Sequence, residues 1–375
     1  MSHGSVAAGT VAAGYEPLRA EFDAVLAADP DLAAQLAVYV DGSPVADLCG
    51  GPGLAPDSLV GVFSVTKGAA YLVVARLVQD GVLDLDREVR AYWPEFAAAG
   101  KDRLTVRELL THRAGAIGVE SGFTLDELAD DAALAERLAP HRPYWRPGTL
   151  FGYHSLTVGA LAGEVVRRAA GVRLAELFER EIREPHDVDL YLGLPADLEP
   201  RVTPVLPPER APEPDPEAPD SLGGIAGNRH APEPIDLALL PNNRTVRAGG
   251  PASVGGVGSA RGLARLYAAA LTGVAGRAAF LTRATLAEFA QPQAVGHDVV
   301  LSTHRAYGVG FMVGLPFLGA GSFGHDGAGG AMAFADPRSG LAFGYVRPRF
   351  PEPAGAGPDA ERLARVARAC ARRAR

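Results

Sequence analysis

Two residues of this chain have the types and the spacing for nucleophilic chemistry. Ser64 and Lys67 form an S-x-x-K tetrapeptide, Ser64-Val65-Thr66-Lys67, at the start of a stretch that reads as helix. Side chains three apart on a helix share a face, so the hydroxyl and the amine can touch. A serine hydroxyl is a weak nucleophile until a neighbouring base takes its proton. A lysine can act as that base only if its pKa falls by about 3 units from ~10.4, a shift of roughly 4 kcal/mol supplied by burial or charge repulsion. The apolar flanks, Val62 and Phe63 before and AAYLVVA after, offer such a setting. The chemistry would be nucleophilic attack by a base-activated serine hydroxyl.

The tetrapeptide alone does not decide the matter. Thirteen serines and two lysines in 375 residues give ~0.07 matches by chance, and an N-cap serine followed by a solvated lysine has the same pattern. Other chemistries have less support. No serine sits in G-x-S-x-G, and the nine histidines show neither H-E-x-x-H nor a pairing with two cysteines, so neither the α/β-hydrolase elbow nor a zinc site is expected. GVGSARG at 256–262 is not a G-x-G-x-x-G loop.

The elements that must position Ser64 and Lys67 follow from periodicity. Leu18, Phe22 and Val25 mark an amphipathic helix over 16–28. AQLAVYV and PVADLCG, joined at Asp41-Gly42-Ser43-Pro44, read as a hairpin. FSVTKGAAYLVVARLVQDG is a helix ending at Gly81, and DRLTVRELLTHRAG, FTLDELADDAALAERLA, LTVGALAGEVVRRAAG and RLAELFEREIREP continue a helical section. Eleven prolines between 195 and 234 mark residues 195–235 as a long extended loop or a cover over a site. After the ARGLARLYAAALTG helix, YGVGFMVGLP, GSFGHDG, AMAFADP and LAFGYVRP read as successive antiparallel strands. A last helix puts Leu363, Val366 and Cys370 on one face, and its ARACARRAR end reads as solvated helix. No internal repeat is visible. Strands from the two ends must share one sheet, with the terminal helices over one face, because a lone hairpin or a half-bare sheet is not stable.

Beyond the tetrapeptide, the chain resembles the serine β-lactamase-like, penicillin-recognising superfamily, in particular its class C-like esterase branch, the family VIII carboxylesterases, from about residue 16 to 373. FSVTKG is similar to the family's first motif and RLTVRELLTHRAG to its D-x-L-T-V-R-E-L-L-T-H-x-A-G helix. WRPGTLFGYHSLTVGALAGEVVRR resembles the segment bearing the second motif, Y-x-N, with Tyr153, His154 and Ser155 in its three places. FGHDGAGGAMAFADP resembles the third-motif strand, K-T-G in penicillin-binding enzymes and H-x-G in many esterases. The resemblance implies an α/β (α+β) fold of the β-lactamase/transpeptidase type. An antiparallel sheet domain of residues 1–90 and 246–375 would pack on a mostly helical domain of residues 91–245, with the site at the seam.

The implied roles are Ser64 as acylated nucleophile, Lys67 as proton acceptor and Tyr153 as partner in acid–base work. The backbone N–H groups of Ser64 and Ala328 would form the oxyanion hole, and Ser155, His325, Asp326 and Gly327 would meet substrate. Gly327, Gly329 and Gly330 would leave room for substrate along the strand. Two departures matter. His325 and Asp326 replace the lysine that grips a carboxylate, so efficient handling of penicillins or D-Ala-D-Ala peptides is not expected. Ser155 replaces the motif asparagine. Asp326 could instead meet an amine or hydroxyl of an acyl acceptor, or stand as a solvated acid at a strand edge.

Composition sets the remaining limits. With 36 basic and 44 acidic residues, a net charge of −8, 47% hydrophobic and 21% charged residues, the chain reads as an ordinary globular protein. Its acidity argues against nucleic acid as partner, and no apolar run suits a membrane span. Cys49 and Cys370 are too few for a disulfide framework; with no readable export signal, the expectation is a cytoplasmic protein with reduced thiols. The expected partners are a small-molecule ester or acyl donor and, in a transacylase, an amine or alcohol acceptor; no metal or organic cofactor is implied. Hydrolysis of a carboxylic ester is the first expectation and acyl transfer the second. A binding protein that has kept the fold and lost the chemistry is a third, against which the intact S-x-x-K speaks.

Overall fold

The computed structural model describes residues 7–209 and 217–373. Its strands are β1 (Ala8–Val11), β2 (Ala34–Val40), β3 (Ser43–Gly50), β4 (Val60–Gly61), β5 (Leu190–Tyr191), β6 (Val257–Gly258), β7 (Ala294–Asp298), β8 (Thr303–Tyr307), β9 (Met312–Val313), β10 (Phe323–Asp326), β11 (Met332–Asp336) and β12 (Leu341–Val346). Nine of them form one antiparallel sheet in the order β1-β3-β2-β12-β11-β10-β9-β8-β7, while β4, β6 and β5 form a small second sheet. The chain's two ends therefore meet at the β2–β12 pair, with Val38 opposite Phe343.

Local chemistry explains the elements nearest this junction. Asp41 and Gly42 both have positive φ, 46° and 79°, the geometry a two-residue hairpin turn requires. Ser43, expected in the turn, opens β3 instead. The helix Glu16–Ala28 starts with proline in its first turn and buries Leu18, Phe22, Val25 and Leu26. The terminal helix Pro358–Arg373 places Asp359 and Glu361 in its first turn and Arg372 and Arg373 in its last, the arrangement the helix dipole favours. It buries Leu363 and Cys370, and Val366 is half-buried beside them.

Alternation along β12 distributes the two cores. Leu341, Phe343 and Tyr345 pack under the terminal helices, whereas Ala342 and Val346 face the larger core that holds the Thr66–Gln79 and Ala260–Leu271 helices. Both faces of the sheet are thus covered, which is why these strands are apolar on both sides.

The structure shortens several expected elements. The helix expected over DRLTVRELLTHRAG spans only Val106–Leu110, opened by a Thr105–Glu108 capping box; His112 then adopts φ 62° and turns the chain away. FTLDELADDAALAERLA is two helices, Leu125–Ala129 and Asp131–Leu138, because Asp130 is extended and its carboxylate caps the second. YGVGFMVGLP is not one strand: a turn closed by the Gly308 N–H on the Phe311 carbonyl separates β8 from β9. The β7–β8 hairpin and the Arg283–Ala290 helix had no clear periodic signal.

The described parts of the proline-rich stretch hold the short helices Ala196–Arg201 and Leu222–Ala226; Val202 and Leu206 bridge to Leu59 and Arg349 on the sheet side, and residues 222–228 fold onto the helical side. Asn228 pairs its amide with both the N–H and the carbonyl of Phe123, and Ile225 joins an apolar cluster with Trp145, Phe151 and Tyr153. Among the described residues no helix is long and apolar enough to cross a membrane.

Phe343 is fully buried and stacks on Phe334 at 5.0 Å between the sheet and the terminal helices. Phe343→Ala is expected to lower stability by about 3–5 kcal/mol in chemical denaturation; a loss under about 1 kcal/mol would show that the terminal helices do not bear on this core.

Candidate active site

The Ser64 turn is built by three elements that meet at a narrow point. β4 pairs with β6, and the Val62 N–H extends the pairing to the Gly256 carbonyl at 2.9 Å. Ser64 then lies in a short 3-10 turn, Phe63–Val65, that runs into the Thr66–Gln79 helix. Thr66 locks the turn: its hydroxyl donates to the Phe63 carbonyl and accepts from the Gly256 N–H at 2.9 Å. Phe63 carries φ 50°, a strained value for a bulky residue. Its ring is held edge-on to Phe350 at 5.5 Å, and strain of this kind persists only where the surroundings over-determine it.

Strand β10 closes on that turn. A Cβ on Gly327 would lie 2.4 Å from the Val62 carbonyl oxygen, and one on Gly329 would lie 2.2 Å from the Phe63 ring. These glycines therefore serve close packing of the protein on itself, where the sequence suggested room for substrate. The contact brackets Ala328 beside Ser64, and the Ala328 N–H finds no acceptor among the described residues.

Lys67 is completely buried. Its Nζ lies 3.0 Å from Ser64 Oγ and 2.7 Å from each of the Ser155 and Ser253 carbonyl oxygens. Burial holds its pKa well below the usual lysine value, opposed by the negative charge of Asp326. A neutral amine has two N–H bonds, which the two carbonyls satisfy, and one lone pair, which is left for the Ser64 hydroxyl. The Ser253 carbonyl reaches this point because Gly159 admits its chain: a Cβ there would lie 2.1 Å from the Ser253 nitrogen. The Gly159 N–H also donates to Ser253 Oγ at 2.6 Å.

Tyr153 is buried against the same group, its ring centroid 4.9 Å from Lys67 Nζ. Burial raises its phenol pKa well above 10, and a hydrogen bond with Ser64 opposes the shift. His325 Nε2 stands 3.5 Å from the phenol oxygen, and its Nδ1 is 2.6 Å from the Asp326 carbonyl oxygen. The latter contact requires Nδ1 to carry the proton, so Nε2 offers a lone pair to Tyr153. Burial, followed by the nearby Lys67, pushes the imidazole down to about 3. Amine, phenol and imidazole are thus all neutral at rest.

The structure brings Ser64, Lys67, Tyr153, His325 and the Ala328 backbone together. Ser155 enters through its carbonyl on Lys67. Asp326 points away from His325, as strand alternation requires; its carboxylate accepts from the Ala356 N–H at 3.2 Å. Residues that sequence reasoning did not single out also contribute. His112 packs edge-on to Tyr153 at 5.1 Å and accepts the His154 N–H at 3.2 Å. Ser253 binds Lys67, and Asp298 reaches the Tyr153 backbone from 145 residues away. His112 lay in a quoted motif, but nothing local marks Ser253 or Asp298.

Known proteins resemble the chain over most of its length. The beta-lactamase family pattern matches residues 22–368. The chain is 34% identical over 345 residues to the esterase/beta-lactamase LipL of Mycobacterium tuberculosis (strain ATCC 25618 / H37Rv), covering 85% of this chain and 77% of LipL. It superposes on EstA from Arthrobacter nitroguajacolicus Rue61a with TM-score 0.93 and 43% identity, over 97% of this chain and 99% of EstA. A family VIII carboxylesterase structure aligns with TM-score 0.87 and 31% identity over 97% of this chain and 99% of its own.

The buried amine has a thermodynamic signature. Between its depressed folded pKa and the unfolded value near ~10.4, the unfolded chain binds a proton that the folded chain does not, so stability rises with pH. Relative to Lys67→Met, the wild type is expected to gain up to about 1.4 kcal/mol per pH unit between about pH 8 and 9.5 in urea denaturation. Parallel curves would mean that Lys67 stays protonated in the folded protein.

Proposed function

The chain belongs to the beta-lactamase family, and from that premise we propose that it is a serine ester hydrolase working through a Ser64 acyl-enzyme. The observation that carries the proposal is the placement of Lys67 Nζ 3.0 Å from Ser64 Oγ with both its N–H bonds engaged by carbonyls. A base so held needs no reorganisation before it accepts a proton.

In the proposed reaction the Ser64 proton passes to Lys67 as Oγ attacks the ester carbonyl carbon. The developing oxyanion is held by the N–H groups of Ser64 and Ala328, donors of a kind typically worth about 2.7–4 kcal/mol each. The proton then travels from Lys67 through the Tyr153 hydroxyl to the leaving alkoxide, and the C–O bond to the alcohol breaks. Water repeats the sequence on the acyl-enzyme, giving up a proton by the same route and freeing Ser64 and a carboxylic acid. Tyr153 serves as a relay rather than a resting phenolate, because its buried phenol stays protonated.

The substrate class is supported by the relatives, which are named esterase/beta-lactamase and family VIII carboxylesterase, and the choice within it by local charge. His325 is neutral, so we place uncharged carboxylic esters ahead of penicillins, whose carboxylate would find no cation at this position. The seam between the sheet domain, residues 1–90 and 246–375, and the helical domain, residues 91–245, is the proposed boundary across which Ser64 and Tyr153 cooperate. The proposed compartment is the cytoplasm, in keeping with two free, buried thiols, Cys49 and Cys370.

A p-nitrophenyl ester is expected to give a burst of p-nitrophenol and an acyl group on Ser64 seen by mass spectrometry, with none in Ser64→Ala. Lys67→Ala and Tyr153→Phe should each slow acylation by about 10²–10⁴-fold. Absence of labelling in the wild type would favour a non-catalytic binding protein. Amines or alcohols added to the turnover mixture should leave acid as the main product; amide or ester in its place would make the protein a transacylase.

A further inference from the structure

Tyr153 lies in a stretch, residues 151–154, with no regular secondary structure, so no helix or ladder of its own fixes its backbone. The Tyr153 N–H is held by a buried carboxylate, while the Gly152 and His154 N–H groups on either side are held by His112. Asp298, the last residue of β7, is fully buried, and both its oxygens accept the Tyr153 N–H at 3.1 Å. Oδ1 also accepts the Val300 and Leu301 N–H groups at 2.9 Å each. Oδ2 accepts the Tyr307 hydroxyl at 3.0 Å.

Capping the turn after β7 uses only the Val300 and Leu301 contacts, a common local role for aspartate. The other contacts, to the Tyr153 N–H 145 residues away and to the Tyr307 hydroxyl on the paired strand β8, converge on Tyr153. The Tyr307 ring, pinned by Oδ2, stacks on the Tyr153 ring at 6.1 Å with the planes 6° apart. His112 closes the cage, edge-on to Tyr307 at 4.7 Å. Backbone and ring of Tyr153 are therefore held from the same carboxylate. Among the described residues Asp298 has no ion-pair partner; a buried carboxylate of this kind depends on its hydrogen-bond donors, half of which here, the Tyr153 N–H and the Tyr307 hydroxyl, belong to the seat of Tyr153.

We infer that Asp298 is a positioning residue of the acyl-transfer site, holding the Tyr153 backbone directly and its ring through Tyr307 so that the phenol stays beside Ser64. The inference rests on the proposed role of Tyr153. Asparagine at 298 keeps one carbonyl acceptor for the turn and loses half the clamp.

The test is a double-mutant cycle on Ser64 acylation by a p-nitrophenyl ester, followed in single turnover. Asp298→Asn should slow acylation by at least about ten-fold with substrate KM little changed, yet by less than about two-fold in a Tyr153→Phe background, since residues acting as a unit are non-additive. A general structural role would slow both backgrounds by the same factor; that result, or no loss in Asp298→Asn alone, overturns the inference. If Asp298→Asn does not fold by circular dichroism, Tyr307→Phe, which removes one hydroxyl, carries the same cycle with an expected loss of about three-fold and the same non-additivity. A Tyr153→Phe enzyme at the full rate overturns the reading of Tyr153 itself, a failure distinguishable because Asp298→Asn is measured independently.

Discussion

The site depends on keeping one amine dry. Lys67 could not take a proton from Ser64 as an ammonium ion, and in water it would be one at neutral pH. The protein solves this by enclosing Nζ completely and giving it two carbonyl acceptors, those of Ser155 and Ser253. A protonated amine there would still satisfy its three donors, so hydrogen bonding alone does not enforce neutrality. Desolvation does, as the largest influence on its pKa.

Much of the surrounding architecture can be traced to that enclosure. The amine is sealed by chain segments from distant parts of the sequence, and each must approach closely. Gly159 lets the Ser253 chain sit against the Val158–Ala170 helix, and Gly327 and Gly329 let the end of β10 sit on the Ser64 turn. Thr66 ties the same turn to Gly256. A side chain at any of these glycines would open the seam where Lys67 must stay dry. The large sheet contributes indirectly: joining β2 to β12 fixes β10, and with it Ala328, relative to the helix that carries Ser64.

Residues of this site were legible to the extent that their roles are local. Ser64 and Lys67 are three apart across a 3-10 turn and the helix it opens, and Asp41-Gly42 marks its own turn, so spacing singled them out, although the S-x-x-K needed the other motifs to decide its meaning. Tyr153 and His325 became visible only through resemblance, because each acts across a long separation. Asp298 and Ser253 were not legible at all. One works through a carboxylate that could equally cap a turn, the other through a backbone carbonyl that any residue possesses. Helix lengths failed for a related reason: His112 at φ 62° and the extended Asp130 are set by tertiary contacts, which override a continuous helical pattern.

The replacement of a third-motif lysine by His325 alters the electrostatics of the whole pocket. A second ammonium beside Lys67 would place two cations in one dry space, whereas the His325 imidazole is uncharged and turns its lone pair to Tyr153. The resting pocket then holds a neutral amine, a neutral phenol and a neutral imidazole, and charge separates only when Ser64 attacks. At that moment the new ammonium on Lys67 needs a compensating charge. The negative charge of Asp326, on the other side of the strand, favours the protonated amine against burial. Its carboxylate is half-buried and tied to the Ala356 N–H, so its charge is held close to the strand that carries His325.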